Sequence, residues 1–296
     1  MVRLAYALGG ILLIGLASFY VLSAPRALNV GAYEKLAGNA VSGEAVFWAA
    51  GCASCHMAPG ALGADQLVLA GGQEFASDFG TFVAPNISSD TVQGIGGWSV
   101  EDFAHAVTCG ISPEGQHYFP ALPYTAYGKM APQDVVDLKA YMDELPASTA
   151  PSLPHKVGFP FNIRRNIGIW KLMFLSGDYV LQGDLTPQVE RGRYIAEALA
   201  HCGECHTPRN ALGGLDTARW LGGAPNPSGK GEIPNITPGK LKWSESEIVD
   251  YLTTGFTPEF DSVGGHMAHV VEAMARLPET DRAAVAAYLK AVPAIN

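Results

Sequence analysis

The chain opens on an unbroken apolar run and then settles into short, punctuated amphipathic segments. Residues 4–23 carry no charge at all, a stretch long enough to cross a hydrocarbon core as one helix. A cleaved secretory signal is the rival reading, but its apolar region is usually about 7–15 residues long. The possible cleavage end, Val21-Leu22-Ser23-Ala24-Pro25, also lacks a small-x-small pattern. A core helix rarely sits uncapped at a chain terminus. The expectation is an uncleaved anchor over residues 1–25, with Arg3 and the terminal amine on the cytoplasmic side despite Arg26 at the other end.

Helical periodicity then recurs at matched places in two halves. Ser99 with Asp102, and Ser244 with Glu247, have capping-box spacing ahead of apolar positions Phe103, Ala106 and Val107 in one half and Ile248, Tyr251 and Leu252 in the other. Gly110 and Gly255 suit the left-handed turn that ends a helix. Closing helices are expected over residues 132–145 and 279–292, and earlier helices near 43–50 and 193–200. No alternating strand pattern stands out. The fold class expected is mostly α.

Laying the halves over each other exposes a repeat. Cys52-Ala53-Ser54-Cys55-His56 returns 150 residues later as Cys202-Gly203-Glu204-Cys205-His206. Pro85-Asn86-Ile87-Ser88 and Pro234-Asn235-Ile236-Thr237 follow in turn, then Trp98-Ser99 and Trp243-Ser244. The two Asn-x-Ser/Thr triplets match a glycosylation acceptor, yet their repeat equivalence accounts for them better. Two copies of one module give expected boundaries of 26–146 and 187–296. Between them, 147–186 reads as an ordered crossover, because Trp170, Met173 and Phe174 would not stay solvated in a loop.

Composition narrows the classes. A hydrophobic content of 48% excludes a disordered chain, and 28 acidic residues against 19 basic ones argue against a nucleic-acid partner. The load of 34 Gly and 20 Pro implies many loops. Five cysteines are too few for a disulfide scaffold.

The cysteine spacing carries the chemistry. Cys-x-x-Cys-His is the attachment run of a c-type haem: two thiols one helical turn apart add to the two vinyl groups, and the adjacent imidazole becomes the proximal iron ligand. A redox dithiol needs no trailing histidine, and a zinc site would need the two triplets to converge. The expectation is therefore two covalent haem c groups, on Cys52, Cys55 and His56 and on Cys202, Cys205 and His206. Such attachment takes place outside the cytoplasm. Cys109 is left over, most simply a small buried residue. For the sixth ligands, Met130 on a loop before the closing helix is preferred over Met57 and Met142. Met267 behind Gly264-Gly265 is preferred over Met274, His266 and His269. Pro59 and Pro208 offer carbonyls for the proximal imidazoles, and Arg209, Arg219, Trp98 and Trp243 are expected donors to propionates.

The chain resembles the membrane-associated multihaem cytochrome c subunits of periplasmic dehydrogenases, including those of alcohol and gluconate dehydrogenases. The resemblance runs over about residues 35–294. It rests on His201 through Asn210, on Ala84-Pro85-Asn86-Ile87, on Tyr118-Phe119-Pro120-Ala121-Leu122-Pro123-Tyr124-Thr125, and on the closing stretch through Asp281-Arg282 to Ala287-Tyr288-Leu289-Lys290. It implies tandem class I-type cytochrome c domains behind the N-terminal transmembrane helix, in the periplasm, passing electrons from a periplasmic dehydrogenase subunit to a cytochrome, quinone or oxidase. Two departures stand out. Well-known members carry three haems where two attachment runs occur here, and Leu122 stands where some relatives have methionine. A dihaem enzyme, such as a peroxidase or a thiosulfate-oxidising cytochrome, is the alternative, with His105, His117, His266 and His269 as its acid/base candidates.

Overall fold

The computed structural model describes residues 2–227, 229 and 231–296. Helix α1 (Val2–Leu22) has no buried residue, meets α7 at its C-terminal end, and is long and apolar enough to cross a membrane. The first half contributes α2 (Ala40–Ala49), α3 (Cys52–His56), α4 (Val100–Cys109), α5 (Tyr124–Tyr127) and α6 (Pro132–Glu144). After α7 (Arg164–Phe174) in the crossover, the second half contributes α8 (Pro187–Tyr194), α9 (Gly203–His206), α10 (Glu245–Thr254), α11 (Met267–Met274) and α12 (Glu279–Ala291). The fold is mostly α, with two tandem helical modules.

Local chemistry sets the ends of these helices. Ser99 and Ser244 accept from the backbone N–H of Asp102 and Glu247, whose carboxylates return the bond to the serine N–H. Gly110 (φ 63°) and Gly255 (φ 77°) close α4 and α10 in the left-handed region. Asn39 caps α2 with its side-chain oxygen on Val41 and Ser42. Pro132 and Pro187 occupy first-turn positions, where the missing N–H costs nothing.

Each module is organised around one close helix crossing. A Cβ on Gly43 of α2 would lie 2.0 Å from the Asp137 carbonyl oxygen of α6, and one on Gly192 of α8 would lie 1.9 Å from that of Ala284 in α12. Only glycine lets these backbones touch. Gly43 stands nine residues before Cys52 and Gly192 ten before Cys202. The extra residue is taken up by a π turn over Ile195–Leu199, where the Ala200 N–H reaches the Ile195 carbonyl at 2.7 Å. Phe47, Leu69, Val135, Ile195, Leu221 and Tyr288 all belong to one continuous buried cluster, so the modules share a core.

Short strands correct the expectation that none would be found. β1 (Glu74–Ser77) and β2 (Gly80–Val83) form a hairpin with Phe75 opposite Phe82, and β3 (Lys156–Val157) from the crossover adds to its edge. β4 (Ala224–Pro225) pairs with β5 (Glu232–Ile233). Four residues or fewer per strand are too short to show an alternation.

The crossover packs on both halves. The Trp170 indole N–H donates to the Leu212 carbonyl at 2.8 Å, while the Lys171 ammonium donates to the Cys109 and Gly110 carbonyls at 2.6 and 2.8 Å. Lys171 thereby neutralises the C-terminal end of α4 and lies 4.4 Å from the Tyr124 ring.

Candidate functional site

The two Cys-x-x-Cys-His runs lie on α3 and α9, each a single helical turn, which places both thiols and the imidazole of each run around one end of a short helix. The histidines are held identically. His56 Nδ1 lies 2.9 Å from the Pro85 carbonyl and His206 Nδ1 lies 2.8 Å from that of Pro234. A carbonyl only accepts, so Nδ1 carries the proton and Nε2 presents its lone pair. Burial also lowers both imidazole pKa values and so keeps the rings neutral.

This corrects the expectation that the carbonyls of Pro59 and Pro208 accept from the imidazoles. Beyond each histidine the chain departs in an extended conformation, and the carbonyl comes instead from the repeated Pro-Asn-Ile loop. That loop is pinned by equivalent bonds in both halves. Gly71 and Gly223 donate to the His56 and His206 carbonyls at 2.7 and 2.8 Å, and Ile87 and Ile236 donate to those of Leu69 and Leu221, both at 3.0 Å. Asn86 is buried, its amide clamped to Ser148 and Ala150 and its oxygen on Ser88 N–H. Asn235 repeats the arrangement with Ile295 and Thr237. These asparagines clamp the loop in both halves. The repeat itself was visible in the sequence; its role in orienting the imidazoles was not.

The donor set fits haem better than its rivals. Burial pushes the Cys52 and Cys202 thiols up to about 12, the opposite of the thiolate character that a redox dithiol requires. Among the described residues no group of three or more His, Cys, Asp and Glu converges as a zinc site would need. An Nε2 lone pair standing beside two thiols one turn apart is what covalent haem attachment uses.

The two sites are neighbours. Burial raises the Cys205 thiol, and the nearby Glu204 and Cys55 push it the same way. The contacts between modules are reciprocal. On one side Gln66 donates to Glu272 of α11 at 3.0 Å, and Arg276 lies 4.5 Å over the Trp48 ring. On the other, Thr125 bonds Glu204 of α9, Tyr194 bonds Asp134, and the Tyr127 and His201 rings meet at 5.6 Å. Each module thus lays the segment before its closing helix against the attachment helix of the other. Tyr127, His201 and Glu204 are site residues that sequence reasoning missed, because nothing in the spacing says which halves face each other.

Met130 lies between α5 and α6, buried in the shared core, with its N–H on the Tyr127 carbonyl. Met267 is the first residue of α11 and half-buried. Met142, Met274 and Met57 are all buried. Of the expected propionate donors, Arg209 is committed to Glu204 and Gly213, and Arg219 to Asp216. Trp98 and Trp243 pack against the core. Cys109 is half-buried beside Thr108 at the end of α4.

Comparison with known proteins agrees with this geometry. Residues 40–146 match the cytochrome c family model. The chain is 54% identical to a dihaem cytochrome c-type protein of Cereibacter sphaeroides, over 97% of this chain and 96% of that one. The chain belongs to the dihaem c-type cytochromes. It is 38% identical to the fructose dehydrogenase cytochrome subunit of Gluconobacter japonicus, over 83% of this chain and 51% of that one. To the cytochrome c subunit of the quinone-linked alcohol dehydrogenase of Gluconobacter oxydans it is 32% identical, over 86% and 54%. The chain therefore spans about half the length of these two relatives. This dihaem cytochrome carries two covalent haem c groups and is an electron-transfer protein. Of the enzyme alternative's acid/base candidates, His105 and His117 bond the carbonyls of Arg26 and Ser23, His269 faces Glu272, and His266 lies against the Phe75 ring.

Proposed function

We propose that this dihaem cytochrome relays electrons from a periplasmic dehydrogenase to a downstream respiratory acceptor, a cytochrome, quinone or oxidase. In this reading Cys52 and Cys55 hold one porphyrin and Cys202 and Cys205 the other, with His56 and Met130, and His206 and Met267, as axial ligands. When bound, the haems supply reversible one-electron exchange. The chain's own work is to hold the imidazoles by the Pro85 and Pro234 carbonyls, exclude water with the shared core, and keep the two sites adjacent. Helix α1 anchors the protein in the inner membrane as a single span. The module boundaries of 26–146 and 187–296, joined by 147–186, belong to the same reading.

The observation that carries it is the reciprocal packing of α3 and α9, which brings two attachment runs 150 residues apart into one core. The names of the relatives support a dehydrogenase partner. Retention of α1 is supported by Ser23, just past the helix, which is fully buried in the body. Purification of the full chain from native membranes is expected to bring a dehydrogenase whose substrate reduces both haems. A chain that purifies alone and itself turns over peroxide or thiosulfate overturns the reading.

A further inference from the structure

The crossover has a charge unlike that of the rest of the chain. Residues 145–177 contain no Asp or Glu, in a protein with 28 acidic residues and a net charge of −9, while Lys156, Arg164, Arg165 and Lys171 all fall within them. The same stretch presents large apolar side chains to solvent. Phe159 is 81% exposed, and Phe161, Ile163, Leu172 and Met173 are exposed beside it. Of these cations Lys156 is paired with Glu74 and Lys171 is buried on the Cys109 and Gly110 carbonyls, so the half-buried Arg164 and Arg165 are the ones beside the apolar groups. An exposed apolar patch of this kind marks an interaction site.

The position of this stretch says what covers it. Helix α1 ends at Leu22, and Ser23 is already locked into the body. The Ser23 hydroxyl accepts from Arg165 Nε at 2.8 Å, and its carbonyl accepts from the His117 ring at 2.9 Å. A Cβ on Gly168 of α7 would lie 2.3 Å from the Ser23 carbonyl oxygen, so α7 rests directly on the end of α1. Arg165 also reaches back to the Tyr20 carbonyl and lies 4.5 Å over its ring. No slack chain separates helix from body.

Depth follows from length. A helix of 21 residues measures about 31 Å, against a hydrocarbon core of about 30 Å. With α1 spanning, residues 20–23 fall at the boundary between acyl chains and headgroups, and Arg165 is held there with them. The turn at residues 159–163 runs directly into Arg164 and Arg165, and it is stiffened by Phe161 packing edge-on against Phe79 at 5.0 Å. Aromatic rings and cations are the side chains this zone accepts best.

We propose that residues 159–173 form a second, monotopic membrane contact, seated among the anionic lipid headgroups of the leaflet through which α1 exits. The inference rests on α1 spanning the membrane, as proposed above. Its consequence is that the haem modules are held in one orientation against the bilayer, so an electron donor or acceptor must approach along the membrane surface.

The test uses the full-length holoprotein in bilayer discs containing phosphatidylglycerol, in a Cys109→Ala background. One spin label is placed at Phe159→Cys and, in a separate protein, another at Ile11→Cys. Relaxation by lipid-soluble oxygen is compared with relaxation by a water-soluble nickel chelate. The expected result is an oxygen-to-nickel ratio at both sites several-fold above that of the unattached label in buffer. A ratio at Phe159 equal to the free label, with Ile11 in lipid, overturns the second contact and leaves the anchor standing, and points to a soluble protein partner for the patch. A free-label ratio at Ile11 overturns the anchor, and the contact with it.

Discussion

Met130 serves packing and, in the proposed assignment, iron ligation, and two substitutions separate these roles. The residue is only 6% exposed, so Met130→Ala opens a cavity at a cost of about 2–5 kcal/mol. Met130→Leu preserves volume and costs less than about 1.5 kcal/mol. The repeat shows that the fold accepts leucine here: Met130 stands four residues before Asp134, as the buried Leu277 stands four before Asp281. Packing alone therefore does not demand methionine. Neither variant offers a thioether, so both should lose one methionine-to-iron charge-transfer band to the same extent while differing in stability. The potential of that haem should fall in both, because a thioether ligand raises it. Ferric spectra, redox titration and thermal midpoints of the holoprotein read the three quantities together. A Met130→Leu protein with both bands and both potentials intact refutes the assignment, and a band lost only in the alanine variant makes it a packing effect.

The same logic gives Met267→Leu, which should remove the other band with little change in midpoint, since the residue is only half-buried; two surviving bands contradict it. Gly192→Ala forces a methyl into the Ala284 backbone and should cost about 1–3 kcal/mol by overpacking, seen as a lower midpoint at unchanged haem content; an unmoved midpoint rules out the close crossing. Burial pushes Lys171 down to about 7, so between about pH 7 and 10 the unfolded chain binds more protons than the native one and stability should rise with pH, by at most about 1.4 kcal/mol per unit. Lys171→Met should flatten that slope in denaturant midpoints at about pH 7 and 9; an identical slope assigns it to other groups.

Much of this architecture was legible in the sequence because it is written in local chemistry. Ser99 with Asp102 and Ser244 with Glu247 form the capping boxes their spacing predicts, and Gly110 and Gly255 end the helices. The haem runs need no tertiary information either. What was not legible depends on separated segments meeting. Pro85 and Pro234 orient the imidazoles across 29 and 28 residues, and sequence proximity pointed wrongly to Pro59 and Pro208. The hairpin at Phe75 and Phe82 is too short to show its period. The π turn before Cys202 is visible only once Gly43 and Gly192 are known to occupy equivalent crossings.

The reciprocal interface bears on how the relay is built. If the crossover alone joined the modules, the separation of the two iron sites would vary with the linker. Instead Thr125 and Glu204, Tyr194 and Asp134, and Gln66 and Glu272 tie each half to the other around a common apolar core. Packed interiors have little compressibility and deform little, so the distance between α3 and α9 is a property of the core and not of the linker. Electron exchange between fixed sites asks the same of a protein that catalysis asks of preorganised groups: little rearrangement at the moment of transfer. On this view the repeat is retained for its interface as much as for its second haem, because a single module would expose the face that Tyr127 and His201 now close.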